Sequence, residues 1–109
     1  FNILKIPDYK YKCTHAFYRL NLFINKKKIN QSKLIKQLKK KKINCGVGSC
    51  PEIYQEKIFR KLKFYPKKRL ANAKLLGETS IAFLINPYRS LRSIMLEINY
   101  IKKILKKYL

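Results

Sequence analysis

The residues best suited to chemistry lie in one short run, Gly48-Ser49-Cys50-Pro51-Glu52. Glycine lets the backbone approach a neighbour closely. A proline at the first turn of a helix, followed by an acidic residue, suits a helix start. A flexed loop feeding a helix N-terminus suits an anionic or hydroxyl-rich ligand. Glu52 and Glu56 stand one helical turn apart, the spacing at which two carboxylates share a face. Such a pair can do acid/base work, but a helix cap plus a surface charge is the simpler reading. Asn86 precedes Pro87 at the end of an apolar run, where its amide both donates and accepts.

Other reactive residues form no set. His15 is the sole histidine, and neither it nor Asp8 has a nucleophile motif nearby, so a Ser/His/Asp arrangement is not indicated. Cys13, Cys45 and Cys50 are odd in number, which excludes a complete disulfide framework. The five-residue step from Cys45 to Cys50 is not zinc-finger spacing, and a tetrahedral zinc site needs four ligands. No metal is expected, and the thiols read as reduced.

These residues need a scaffold, and the pattern supplies one. Ala16 to Ile24 alternates, with Ala16, Tyr18, Leu20, Leu22 and Ile24 on one face, which predicts a strand. Asn30 or Ser32 caps a helix to about Lys41 with Leu34, Ile35 and Leu38 inward. Ile43 to Val47 reads as a short strand. A helix from Pro51 carries Tyr54, Ile58, Phe59 and Leu62 as its stripe, and Pro66 ends that region. Lys67 to Leu76 reads as a second helix with Gly77 as its C-terminal cap. Ile81 to Ile85 is a buried strand. Ser90 caps a long helix whose stripe is Leu91, Ile94, Met95, Ile98, Ile101, Leu105 and Tyr108. The expected fold is α+β: a small mixed or antiparallel sheet with helices packed on it. Residues 1–14 read as a linker or the tail of a missing upstream element, and 15–109 as one domain.

The chain has 109 residues and a net charge of +22, from 27 Lys and Arg against five acids. It binds polyanions nonspecifically on charge alone. Only five of the cations are Arg, the residue that bidentate phosphate and base recognition prefers. The lysines are scattered, and no RNA-binding signature is present. Phe, Tyr, Met, Ile, Asn and Lys supply 59 of the 109 residues, the mark of an A/T-rich coding sequence, so most lysines read as a solvated, codon-biased face. A basic nucleic-acid-binding module is the alternative reading, and specific nucleic-acid binding is not expected. No apolar run reaches the ~18 residues of a membrane span, and a membrane role for the basic C-terminal helix is not expected. The chain begins at Phe1 and its one methionine is Met95, which reads as an interior or C-terminal fragment.

Three stretches carry a resemblance. They are Cys45-Gly46-Val47-Gly48-Ser49-Cys50-Pro51-Glu52-Ile53-Tyr54-Gln55-Glu56, then Arg69-Leu70-Ala71-Asn72-Ala73-Lys74-Leu75-Leu76-Gly77-Glu78-Thr79-Ser80, then Ile81 to Pro87. With Lys12 to Tyr18 upstream, they resemble the C-terminal region of the DegT/StrS-type sugar aminotransferases. The resemblance spans about residues 11 to 107. It implies the small C-terminal domain of a fold-type I enzyme that uses pyridoxal phosphate, with the cofactor lysine and its acidic partner in a large domain upstream. It further implies amino transfer from an amino acid, glutamate by analogy, to a nucleotide-linked keto sugar for polysaccharide or cell-surface sugars. A cytoplasmic homodimer follows, with the missing large domain as the chain's own partner. No catalytic or cofactor-binding residue falls in this chain, and Gly48, Ser49, Glu52 and Asn86 are the candidates for lining the cleft. One branch of the family has His where this chain has Asn86, so proton transfer is lost there while hydrogen bonding is kept. A non-catalytic relative of the family is the remaining alternative.

Overall fold

The computed structural model describes residues 3–7, 14–48 and 50–109. Its centre is an antiparallel sheet of four strands in the order β1-β2-β4-β3, built from β1 (Leu4–Lys5), β2 (Arg19–Ile24), β3 (Cys45–Val47) and β4 (Ser80–Leu84). The fold is α+β, as the patterning predicts.

The alternation in β2 fixes its register on β4. Leu20 stands opposite Phe83 and Leu22 opposite Ile81. A slip of one residue would turn every apolar side chain of the strand to the other face. Within the segment read as a linker or tail, Leu4–Lys5 adds β1 on the outer edge of β2, and Ile3 and Leu4 pack against the core. Residues 8–13, including Cys13, lie outside the described residues.

Helix α1 (Gln31–Lys40) forms where its pattern demands. Asn30 Oδ1 accepts the Lys33 N–H at 2.9 Å, and Lys39 and Lys40 occupy the last turn, where cations favour the helix dipole. The helix ends on Lys42 in the left-handed region, φ 59°, where glycine is usual. The Lys42 and Ile43 N–H groups donate back to the carbonyls of Lys39 and Leu38, and Ile43 is buried with Leu38. Ile24, Ile29, Leu34, Leu38 and Ile81 are the most deeply buried large side chains. Each contributes roughly 1.5–3 kcal/mol of burial.

Two helices differ from the expectation. Instead of one helix from Pro51, a 3-10 turn (Ile53–Gln55) is followed by extended Glu56 (ψ 144°) and the short α2 (Lys57–Lys61). The cause is tertiary. The Tyr54 hydroxyl donates to Glu52 Oε1 at 2.7 Å and accepts the Leu70 N–H at 3.1 Å, which ties the turn to the chain sixteen residues on. A helix this short has little propagation energy to oppose that. Ile58 and Leu62, expected inward, are 55% and 52% exposed. The next helix, α3, spans Ala71–Thr79 and not 67–76. Gly77 lies inside it, so the expected glycine cap is absent and α3 passes straight into β4.

The last helix, α4 (Leu91–Leu105), starts on Ser90, whose hydroxyl accepts the Ser93 N–H, as expected. Its C-terminal half meets the core through Ile101, Ile104 and Leu105, with Tyr108 just beyond. Ile104 was not in the expected stripe. The N-terminal half stands off, with Leu91 75% exposed and Met95 also exposed. An apolar cleft of about 280 Å³ opens there, with Leu20, Phe83, Ile94 and Ile98 in its walls.

Large apolar side chains are thus left bare on α2, α3 and the segment between them, among them Ile58, Leu62, Phe64, Leu70 and Leu75. A surface of this kind marks an interaction face. The isolated 109-residue chain is therefore expected to lack a cooperative thermal transition by circular dichroism. A single sharp transition would show that the face needs no cover.

Candidate functional site

The loop after β3 is held by contacts that no sequence spacing announces. Glu52 is the hub. Arg69 grips its carboxylate with two bonds, Nε to Oε1 at 2.7 Å and Nη2 to Oε2 at 2.6 Å, and the Tyr54 hydroxyl adds a third. The Arg69 grip first, and the Tyr54 bond second, hold the carboxyl down at about 2, against a usual 4.5. The same pair raises the Arg69 guanidinium further above its ordinary range. Paired fork-to-fork geometry is the strong form of this interaction. The Glu52 side chain is only 14% exposed. The expected roles for this carboxylate differ from the observed one. Glu52 makes no helix-cap bond. Glu56 is not on one helix with it, being extended after the 3-10 turn, and accepts from the Cys50 thiol at 3.8 Å.

Two of the three glycines in the matching stretches serve close approach, while Gly46 has open space beside it. A Cβ on Gly48 would stand 2.6 Å from Ser80 Oγ, and one on Gly77 would stand 2.7 Å from Pro51 Cγ. Pro51 therefore packs on the α3 backbone, and Gly48 packs on the head of β4. The loop is fixed at both sides. Ser49 lies outside the described residues.

Asn86 sits elsewhere. Its Oδ1 accepts the Tyr88 N–H at 3.0 Å, the hydrogen bond of an Asx turn leading to α4. Gly48 lies against Ser80 at the head of β4, while Asn86 lies two residues beyond its end at Leu84. Six residues of extended chain separate the two positions by roughly 20 Å. The structure brings Gly48 and Glu52 together and places Asn86 at the other end of the strand. Beside Asn86 is the corner before β2. There Ile85 donates to the Tyr18 carbonyl, and Phe17 takes a left-handed φ of 47° while its N–H donates to His15 Nδ1 at 2.8 Å. That turn is why β2 begins at Arg19 and not at Ala16.

The remaining carboxylates among the described residues are also engaged. Glu78 accepts from Lys26 at 2.7 Å with Lys74 nearby, and the Lys26 bond lowers its pKa. Glu97 pairs with Arg89. Burial pushes the Cys45 thiol up, which keeps it protonated and inert. No cluster of three potential metal ligands exists among the described residues. No helix among them is long and apolar enough to cross a membrane.

Pyridoxal phosphate needs a lysine for its Schiff base and an acid for its ring nitrogen. A nucleophilic lysine must be desolvated to lose its proton near neutral pH. Every described lysine is exposed, and Glu52, Glu78 and Glu97 each already face a cation. The described residues do not fit a cradle for this cofactor.

Two outcomes follow, both measured in the full-length gene product. In a carboxyl NMR titration Glu52 is expected to titrate near 2, and in Arg69→Gln to climb toward 4.5. A depressed folded pKa means that the stabilisation is complete above pH 4.5 and is lost as pH falls toward 2. A wild-type midpoint near 4.5 would show that the grip does not form. Gly77→Ala removes a helix glycine, a gain of about 1 kcal/mol on propensity. It also drives a Cβ into the stiff Pro51 ring, at a cost of about 1–3 kcal/mol. The melting temperature is expected to fall, and a rise would mean that Pro51 yields freely.

Comparison with known proteins agrees with this architecture. No protein-family model matches the chain. It is 31% identical over 103 residues to an uncharacterized protein of Methanocaldococcus jannaschii, covering 93% of this chain and 26% of that one. It superposes on the aminotransferase from Psychrobacter cryohalolentis with a TM-score of 0.87 and 28% identity, over 98% of this chain and 29% of that chain. The chain thus spans about a quarter of the length of these relatives, and nearly all of it has the fold of part of an aminotransferase.

Proposed function

We propose that this chain is the small C-terminal domain of a DegT/StrS-type aminotransferase, and that the whole enzyme uses pyridoxal phosphate to aminate a nucleotide-linked keto sugar for polysaccharide or cell-surface glycans. The observation that carries the reading is the superposition on an aminotransferase over 98% of the chain. Conserving the fold across that length, at 28% identity, supports an aminotransferase-related role. The motifs from Cys45 to Pro87 supply the narrower family.

In this reading the domain's task is positional. The bare apolar face of α2 and α3 packs on the large domain, which holds the cofactor lysine. The loop that starts at Gly48 and ends at Glu52 lines the cleft and meets the sugar. Glu52 is a positioning residue. Its carboxylate is turned onto Arg69 and Tyr54, and it acts on the ligand through the loop it holds. Asn86 orients the start of α4 at the far end of β4. Glutamate is the proposed amino donor. The enzyme is proposed to work as a cytoplasmic homodimer.

The test is a spectrum. The full-length gene product mixed with pyridoxal phosphate is expected to gain a visible absorption band that bleaches when glutamate is added. Absence of the band would remove the catalytic reading and leave a non-catalytic relative.

A further inference from the structure

Among the described residues, one buried side-chain nitrogen lacks a hydrogen-bond partner, Nε of Arg19. A buried donor left unpaired is costly, and more so when it is charged. Arg19 opens β2 opposite Leu84, and its neighbour Tyr18 closes it in. The Tyr18 ring lies over the guanidinium, 5.0 Å from ring centre to Cζ, and its hydroxyl accepts from Nη2 at 3.0 Å. Yet Tyr18 is 68% exposed, so most of this cover faces solvent. We propose that Arg19 anchors a binding site for a small, flat organic acid, whose carboxylate turns Tyr18 aside and takes Nε and Nη2 together.

The molecule already holds a template of that bond. Arg69 gives Nε and Nη2 to the two oxygens of Glu52. At Arg19 the same edge has one nitrogen orphaned and the other resting on a neutral phenol. An ionised acceptor bonded to both is the stronger pairing. The chain has five acids against 27 cations, and Glu52, Glu78 and Glu97 already face other cations.

The surroundings fit a ligand of this class. A hollow of about 370 Å³ lies here, lined by His15, Ala16, Phe17, Tyr18, Arg19 and Asn21. That volume falls within the range of about 300–1,000 Å³ for small-molecule sites. Asn21 follows Arg19 by two residues, so both stand on one face of β2, and its amide supplies a further donor. The His15 and Phe17 rings stand 4.5 Å apart and, with Tyr18, give the hollow an aromatic wall. Phe17 is held at φ 47°, a rare conformation for a bulky residue, and strain of that kind gathers at ligand clamps. No carboxylate lines the hollow, so an acid is favoured over an amine. The site stands on these residues and does not depend on the aminotransferase reading.

The experiment titrates the full-length gene product, labelled with nitrogen-15 arginine, with benzoate at about 0.15 M salt, where exposed charges are screened beyond ~8 Å. The Arg19 Nε–H signal is expected to shift and saturate, while that of Arg92, exposed on α4, stays in place. Binding by variants is read from the proton signals of benzoate itself. Arg19→Lys keeps the charge but loses the fork, and is expected to weaken binding about tenfold. Tyr18→Phe releases Nη2 from the phenol and is expected to tighten binding about threefold, a direction that a purely structural Arg19 would not produce. Benzamide, the same shape without the charge, is expected not to compete. Benzamide competing as well as benzoate, or Arg92→Lys weakening binding as much as Arg19→Lys, would overturn the site. An Arg19 signal that benzoate leaves unmoved would overturn it too, since the edge is then filled by a carboxylate of the protein or does not open.

Discussion

The pairing of β2 with β4 is the constraint on which everything else hangs. These strands are about sixty residues apart in sequence, and five consecutive residue pairs join them. Leu22 opposite Ile81 puts two buried side chains side by side on the sheet. Once that register is set, β3 is placed on the outer edge of β4, and the loop after β3 must start beside Ser80. Non-local pairing of this kind carries a loop-closure cost before it returns any contact energy. The buried isoleucines and leucines over the sheet are what offset it.

Fixing the loop is a second, smaller problem, and polar groups solve it. Glu52, Tyr54, Arg69 and the Leu70 N–H form one connected set joining the loop to the entry of α3. Exposed ion pairs contribute little to stability. This one is half sheltered, bidentate and shared with a hydroxyl, so its main effect is to select one loop conformation. The same set breaks the helix that the sequence pattern favours around residues 53–62. Local propensity yields because one tertiary hydrogen bond, from the Leu70 N–H to Tyr54, and the Arg69–Glu52 ion pair act on a segment too short to resist.

Two surfaces of different character result. The layer of α1 and the end of α4 covers the core and shows lysines to solvent. The α2 and α3 side keeps its apolar residues bare. A domain that leaves Phe64 68% exposed is built to be covered. That asymmetry agrees with a fold that makes up 29% of a larger aminotransferase chain. The described lysines are all exposed, so none of them has an environment that would make it a nucleophile.

The sequence alone determined β2, β3 and β4, α1, the start of α4 and the α+β class, while β1 lies in the segment that read as a linker or tail. Those features depend on local periodicity and on caps such as Asn30 and Ser90, which are short-range effects. The motif from Cys45 to Pro87 likewise made the resemblance to aminotransferases legible. Only the tertiary structure decided what the motif residues do. Gly77 looked like a helix end, but it is a contact point for Pro51, because a glycine needed for close approach and one needed for its backbone angles read alike. Glu52 looked like a cap, but its partner Arg69 is seventeen residues away, and spacing carries no signal for a pair made by chain reversal. Gly48 and Asn86 looked like parts of one site, yet the length of β4 holds them apart. Distance along an extended strand is fixed by geometry, whichever residues occupy its ends.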